Sequence, residues 1–124
     1  MAMQTEALRT IEAPSLAPDE RPIDLVHLAR TTMGDRSLER EVLQLFDRQS
    51  TLLIARMRAA SPGALAHLAH TMNGSARGIG AWRVARAAEV LEQAANADAV
   101  KGALAELAAA CDEARTLIAD LLRA

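Results

Sequence analysis

Aromatic residues are almost missing from this chain of 124 residues, which has one Trp, one Phe and no Tyr. Because 51% of the residues are nevertheless hydrophobic, the core has to be built from Ala, Leu, Val, Ile and Met. Ala and Leu lose little on entering a helix, and the β-branched residues that favour strands are few. A domain of this length can bury a stable core without disulfide bonds. The composition therefore predicts a single all-helical domain.

Cysteine is equally scarce, and its scarcity excludes several kinds of site. Cys111 is the only cysteine, so an internal disulfide and a CxxC metal site are both impossible. No run approaches the roughly 20 apolar residues of a membrane span, and the N-terminus lacks the basic-then-apolar order of a secretion signal. The net charge of -2 argues against nucleic acid, which usually binds a basic face. We expect a cytoplasmic protein with no metal site, no nucleic-acid partner and no membrane contact.

Residues 1–22 differ from the rest of the chain, because they hold three of the four prolines. Four apolar residues in this segment have the spacing of a short, loosely docked helix: Met3, Ala7, Leu8 and Ile11. A frayed tail is the alternative. Both interpretations stay open, and the folded domain is placed at residues 23–124.

From there on, apolar residues recur at steps of three and four, which is the helical period. Asp24 is placed to cap a short helix, and a long helix follows from about Ser37 to Ala60. Further helices are predicted over 62–79, over 81–95 and from the turn at 96–98 onward. No strand pattern appears. The sequence therefore predicts an all-α fold, an antiparallel up-and-down four-helix bundle with a short additional N-terminal helix.

Two core predictions follow from the same periodicity. The long helix is expected to bury seven apolar residues: Leu38, Val42, Leu45, Phe46, Leu52, Leu53 and Met57. Cys111 falls on the apolar seam of the last helix, so we interpret it as a small buried hydrophobe rather than a reactive thiol.

The helix over 62–79 has an apolar face and an opposite face that carries the chemistry. Its core side is predicted to hold five residues: Leu65, Leu68, Met72, Ala76 and Ile79. His70 falls almost directly opposite at about 100° per residue, so its imidazole is expected to be exposed. Neutral imidazole is a good nucleophile near neutral pH, and attack on a phosphoryl group needs in-line access. The pattern therefore indicates His70 as a phosphoryl acceptor.

Small or polar residues surround His70 on this outward face. Gly74 lies one turn further along, in a helix interior where Gly costs about 1 kcal/mol relative to Ala. We interpret it as clearing space above the imidazole. Asn73 and Arg77 can donate hydrogen bonds to a phosphoryl group. His67, one turn before His70, is predicted to be a solvated surface residue. The alternatives are that it modulates His70, contacts the phosphoryl group or the partner, acts as a second acceptor, or binds a metal.

Three further predictions concern residues around this helix. Arg77, Arg83 and Arg86 form a cluster of positive charge, either a solvated face or an attraction for an acidic partner surface. Trp82 is expected to pack at a helix junction, with a partner contact as the alternative. His27 is expected to be an exposed helix residue.

The segment that contains these residues has a recognisable pattern. Residues 70–81, HTMNGSARGIGA, resemble the signature of histidine-containing phosphotransfer (Hpt) domains: a His, an apolar residue two later, a Gly four later and an apolar-Gly-Ala close. Residues 22–25 and 43–46, and the helix ending at 89–92, are similar to the family as well. The resemblance covers roughly residues 22 to 122.

The resemblance implies a four-helix bundle that shuttles phosphoryl groups between receiver-domain aspartates in multistep two-component relays. His70 would be the acceptor, through Nε2, and the partners would be response-regulator receiver domains or a hybrid histidine kinase. The receiver supplies the aspartate and the Mg²⁺. The chain would then be a phosphocarrier rather than an enzyme, with no cofactor of its own. Because a carrier shows one histidine to two partners in turn, we expect a monomer.

Asn73 departs from the family pattern, which usually has Lys at this position. A point charge for the phosphoryl group is then missing, and Arg77, with Arg83 or Arg86 as further candidates, is placed to replace it in part. We expect a less stable phosphorylated state or a different partner preference. The alternative function is an Hpt-like docking module that binds a receiver or kinase without being phosphorylated.

Overall fold

The computed structural model describes residues 21–124, so the short helix or frayed tail predicted near the N-terminus lies outside the described residues. Five helices make up that part of the chain, and it contains no strand. They are α1 (Leu25–Thr31), α2 (Arg36–Arg58), α3 (Pro62–Ile79), α4 (Trp82–Glu92) and α5 (Ala97–Arg123). The prediction of an all-helical fold is confirmed. None of the helices between residues 21 and 124 is both long and apolar enough to cross a membrane.

Side-chain caps determine where three of these helices begin. Asp24, Asp35 and Asn96 each accept a hydrogen bond from the backbone N–H three residues later, at 3.1, 3.0 and 2.8 Å. Such bonds satisfy donors that the start of a helix leaves unpaired. Ser61 precedes α3 as predicted, but its side chain makes no capping bond. Pro62 starts that helix with a φ that already suits it.

The four longer helices pack around one aliphatic core. α3 lies against α2 and α4, while α5 lies against α4 and α2. Between α2 and α5 the polar contacts run in opposite order along the two helices. Arg40 donates to the carbonyl of Leu122 at 2.8 Å, and Asp47 accepts from Arg115 at 2.6 Å further along α2. This is the order that antiparallel neighbours produce.

On α2 the predicted core face is wrong at two positions. Leu45 and Leu52 are 55% and 50% exposed, while Leu43 and Ser50 are buried. The buried Ser50 hydroxyl donates to a backbone carbonyl of its own helix, which removes the cost of burying it unpaired. Because α2 packs against α3 and α5 at once, its buried face is set by two neighbours rather than by the leucine spacing.

Cys111 is buried in α5, as predicted. Burial, with a smaller contribution from the neighbouring carboxylate of Asp112, raises the pKa of the thiol to about 12. Because the thiolate is the reactive form of cysteine, the raised pKa disfavours a nucleophilic role for this side chain at neutral pH.

A polar junction holds α1 against the turn between α3 and α4. Asp24 accepts a hydrogen bond from Trp82 Nε1 at 3.0 Å, and its backbone N–H donates to the carbonyl of Gly80 at 2.9 Å. The Trp82 bond is the main reason that the pKa of Asp24 lies below its usual value. Trp82 thus packs at a helix junction, as predicted. His27 is half-buried rather than exposed as predicted, and its ring meets the indole edge-on, with ring centroids 4.9 Å apart.

Gly80→Ala is expected to lower the free energy of unfolding by about 1–2 kcal/mol. Gly80 has a φ of 81°, and an added Cβ would lie 3.0 Å from both Cβ and O of Asp24. Urea unfolding followed by circular dichroism measures the loss. Gly102→Ala, at an exposed α5 position where a Cβ has open space, is the matched control. Equal stability of the two variants would refute this account of the junction.

Candidate functional site

His70 lies in the middle of α3, on the side that faces away from the core. The buried side of α3 is formed by Leu65, Ala69, Met72, Ala76 and Ile79. The predicted core residue Leu68 is only partly buried, and Ala69 is buried in its place. The side chain of His70 is 71% exposed. The predicted exposure of this imidazole is therefore confirmed.

A carboxylate from the neighbouring helix holds the imidazole of His70. Nδ1 lies 3.1 Å from Oε2 of Glu92, which is the last residue of α4. A carboxylate only accepts hydrogen bonds, so Nδ1 carries the proton when the ring is neutral. Nε2 then has the lone pair, and it points away from Glu92. The contact favours the tautomer in which Nε2 carries the lone pair and is able to act as a nucleophile.

Analysis of the α3 sequence alone does not reveal Glu92, because the residue belongs to another helix. The short connection between α3 and α4 could have indicated which residue of α4 lies beside His70. The turn at Gly80 and Ala81 is short, and His70 and Glu92 lie equally far before and after Ala81. In a tight helical hairpin, residues placed symmetrically about the turn are neighbours. Pairing α3 with α4 in this way points to Glu92.

Gly74 leaves open space one turn after His70. Apart from its chain neighbours and the backbone of α3, a Cβ at this position would have no atom within 4 Å. The imidazole, turned towards Glu92, is therefore too far away to require a glycine here. The space lies on the outer, exposed face of α3, on the same helix as His70.

Asn73 and Arg77 belong to one chain of hydrogen bonds that ends on α4. Arg77 donates from Nε to Oδ1 of Asn73 at 2.9 Å and from Nη2 to Oε2 of Glu89 at 3.1 Å. The structure thus brings together the two donors that the sequence predicts for this face. It also pairs the charge of Arg77 with a carboxylate that the sequence analysis does not identify.

The Hpt domain family model matches residues 36–124. The chain belongs to the Hpt domain family. The matched part of this Hpt domain comprises α2 to α5, and it includes His70, Gly74 and the carboxylates of α4. The family resemblance found in the sequence is confirmed, and family membership implies histidine phosphotransfer in phosphorelays. No curated protein and no solved structure gives a significant match to the chain.

The other cations predicted near the site of this Hpt domain face a different helix. Arg83 pairs with Glu113 of α5 at 3.0 Å, and Arg83 and Arg86 both line a groove between α4 and α5. The structure therefore does not bring Arg83 and Arg86 to His70. They lie on the side of α4 that faces α5, whereas Arg77 contacts the side of α4 that faces α3.

Two further predictions from the sequence concern His67 and metal binding. His67 is exposed one turn before His70, and its suggested influence on His70 stays a prediction. Between residues 21 and 124 no group of three or more His, Cys, Asp or Glu side chains is placed to hold a metal ion.

Proposed function

We propose that this Hpt domain carries phosphoryl groups on Nε2 of His70 between partner proteins of a phosphorelay. The observation that carries the proposal is the exposed imidazole whose Nδ1 is engaged by Glu92, because this contact leaves the lone pair on Nε2. The partners are response-regulator receiver domains or a hybrid histidine kinase. Asn73, Gly74 and Arg77 are proposed to contact the phosphoryl group or the partner, with His67 at the edge of the contact.

The fold is part of the proposal. We infer that the helices of residues 23–124 form an antiparallel up-and-down bundle, with α1 at one end, which presents a single histidine on a rigid helix. Such a presentation suits a carrier that meets two partners in turn. A monomeric state and a cytoplasmic location stay predictions.

The proposed step moves one phosphoryl group without any other chemistry. Nε2 of His70 uses its lone pair to form the N–P bond, while the P–O bond to the receiver aspartate breaks and the aspartate oxygen keeps the electron pair. Positive charge develops on the imidazole, and the carboxylate of Glu92 stabilises it through Nδ1–H. The Mg²⁺ that balances the phosphoryl charge belongs to the receiver. The chain then acts as a carrier rather than an enzyme and needs no cofactor of its own.

Intact-mass measurement tests this function. The protein is incubated with phosphoramidate and, in parallel, with phosphorylated receiver domains and Mg²⁺. We expect one phosphoryl adduct that is labile in acid, stable in alkali and located on His70 by fragmentation. A folded protein that binds receivers but takes no phosphoryl group from any donor would contradict the proposal and favour the docking module.

Gly74→Ala separates stability from function at the site. We expect the free energy of unfolding to rise by about 0.5–1 kcal/mol, because alanine is the better helix former and a Cβ here meets no atom within 4 Å. Transfer from receivers to His70 is expected to slow by on the order of tenfold, since the Cβ occupies space that the phosphoryl group or the partner needs. Transfer reactions quenched at successive times measure the rate.

Gly102→Ala, in α5, is the control for this experiment. It is expected to stabilise the fold by a similar amount and to leave the transfer rate unchanged. If Gly74→Ala transfers as fast as the wild-type protein, the open space at Gly74 has no part in phosphotransfer.

A further inference from the structure

Arg77 is the only Arg or Lys in α3, and the structure places its guanidinium against α4. Its Nη2 lies 3.1 Å from Glu89, with the side chains 53% and 47% exposed. Glu89 and Glu92 lie three residues apart on α4, so they face α3 together. Glu92 therefore contacts His70 while Glu89 contacts Arg77, so the one arginine of α3 is already paired with a carboxylate.

Asn73 is oriented by the same arginine. Its Oδ1 accepts from Arg77 Nε at 2.9 Å, so the oxygen is turned towards the C-terminal end of α3. The amide NH₂ is the donor that this side chain can offer to a group on His70, which lies three residues earlier on the helix. A phosphoryl group on His70 would therefore meet a neutral donor from Asn73, while the nearest cation on α3 is held by Glu89.

We propose that Glu89 sets the stability of phosphorylated His70, by holding Arg77 and, through Arg77, the amide of Asn73. This inference rests on the proposed function, since it concerns the phosphorylated state of His70. Glu89 is a positioning residue, because it acts through Arg77. Its effect is to keep the phosphohistidine labile, so that the phosphoryl group passes readily to an acceptor.

The direction of the effect follows from the charges. A protein-bound phosphoryl group carries close to two negative charges at neutral pH, and a cation beside it favours its doubly ionised form. When the N–P bond breaks, the electron pair returns to Nε2 and negative charge leaves the phosphoryl oxygens. A cation at those oxygens therefore stabilises phosphohistidine more than it stabilises the transition state. Glu89 weakens this stabilisation by neutralising Arg77.

Glu89→Gln tests the proposal, because glutamine keeps a hydrogen-bond acceptor for Arg77 and removes the charge. Each variant is phosphorylated with phosphoramidate, and the adduct is followed by intact mass and by ³¹P NMR over a range of pH. The half-life of the adduct is expected to lengthen about two- to fivefold, the size of an exposed ion pair. The midpoint of the ³¹P titration is expected to move to lower pH.

Glu113→Gln is the matched control. It removes the negative charge from the Arg83–Glu113 pair, which has a distance of 3.0 Å and side chains 44% and 46% exposed. This pair links α4 to α5 and does not involve His70. The half-life of the Glu113→Gln adduct and the midpoint of its ³¹P titration are expected to equal those of the wild-type protein. Arg77→Met should shorten the half-life and move the midpoint to higher pH, since it removes the cation itself.

The outcomes separate the two proposals. A wild-type protein that forms no adduct would overturn the proposed function and this inference with it. A wild-type adduct whose half-life and ³¹P midpoint are the same in Glu89→Gln would overturn the role of Glu89 and leave the carrier function standing. Shifts of equal size in Glu89→Gln and Glu113→Gln would also overturn it, because a general change of surface charge would then explain both.

Discussion

Replacing His70 with alanine is expected to abolish phosphoryl uptake completely while leaving the fold intact. The side chain is 71% exposed and faces away from the core, so its loss creates no cavity and changes the free energy of unfolding by less than about 0.5 kcal/mol. Uptake disappears because the substitution removes the imidazole whose Nε2 is proposed to accept the phosphoryl group. Intact mass after treatment with phosphoramidate, and separately with phosphorylated receiver domains, measures the effect.

The two other histidines provide the controls for this experiment. His67→Ala should still form the adduct, and any change in its rate measures the influence of His67 on His70. His27→Ala should form the adduct at the wild-type rate, because His27 packs against Trp82 at the α1 junction. An adduct that persists in His70→Ala and is lost in His67→Ala would place the acceptor at His67.

Glu92→Leu is expected to slow phosphorylation of His70 by about tenfold, the effect of losing one charge-assisted hydrogen bond of about 1.5 kcal/mol. Leucine cannot accept the Nδ1 proton, so the imidazole samples both tautomers and rotates more freely. It also cannot stabilise the charge that develops on the ring during attack. Initial rates of adduct formation at fixed phosphoramidate concentration measure the loss.

Glu92→Gln separates the two contributions of this residue. The amide oxygen can still accept from Nδ1–H and keep the tautomer, but it carries no charge. We expect a rate between those of Glu92→Leu and the wild-type protein. If Glu92→Leu and Glu92→Gln both react as fast as the wild-type protein, the 3.1 Å contact does not prepare Nε2 for attack.

Much of the site follows from α3 alone. Its apolar residues recur with the helical period, and this is sufficient to place His70 on the outer face and Gly74 and Arg77 beside it. The helix starts at Asp24 and at Ser61–Pro62 could be predicted because capping preferences are local. The family could be recognised for the same reason, since the signature over residues 70–81 is continuous in the chain.

The errors arise where a residue faces more than one neighbour. Leu45 and Leu52 have the spacing of core residues, yet they are exposed, because α2 turns its buried face towards α3 and α5 together. The ring of His27 is half-buried because it contacts Trp82, which belongs to another helix.

The helices and the exposure of His70 could be predicted from the sequence, because each depends on residues within one or two helical turns. Only the tertiary structure decided the electrostatics of the site. Glu92 reaches His70, Glu89 neutralises Arg77, and Arg83 pairs with α5 rather than approaching the histidine. These pairings depend on how α4 is rotated against α3 and α5, which is set by the packing of the whole core and not by the spacing of residues along any one helix.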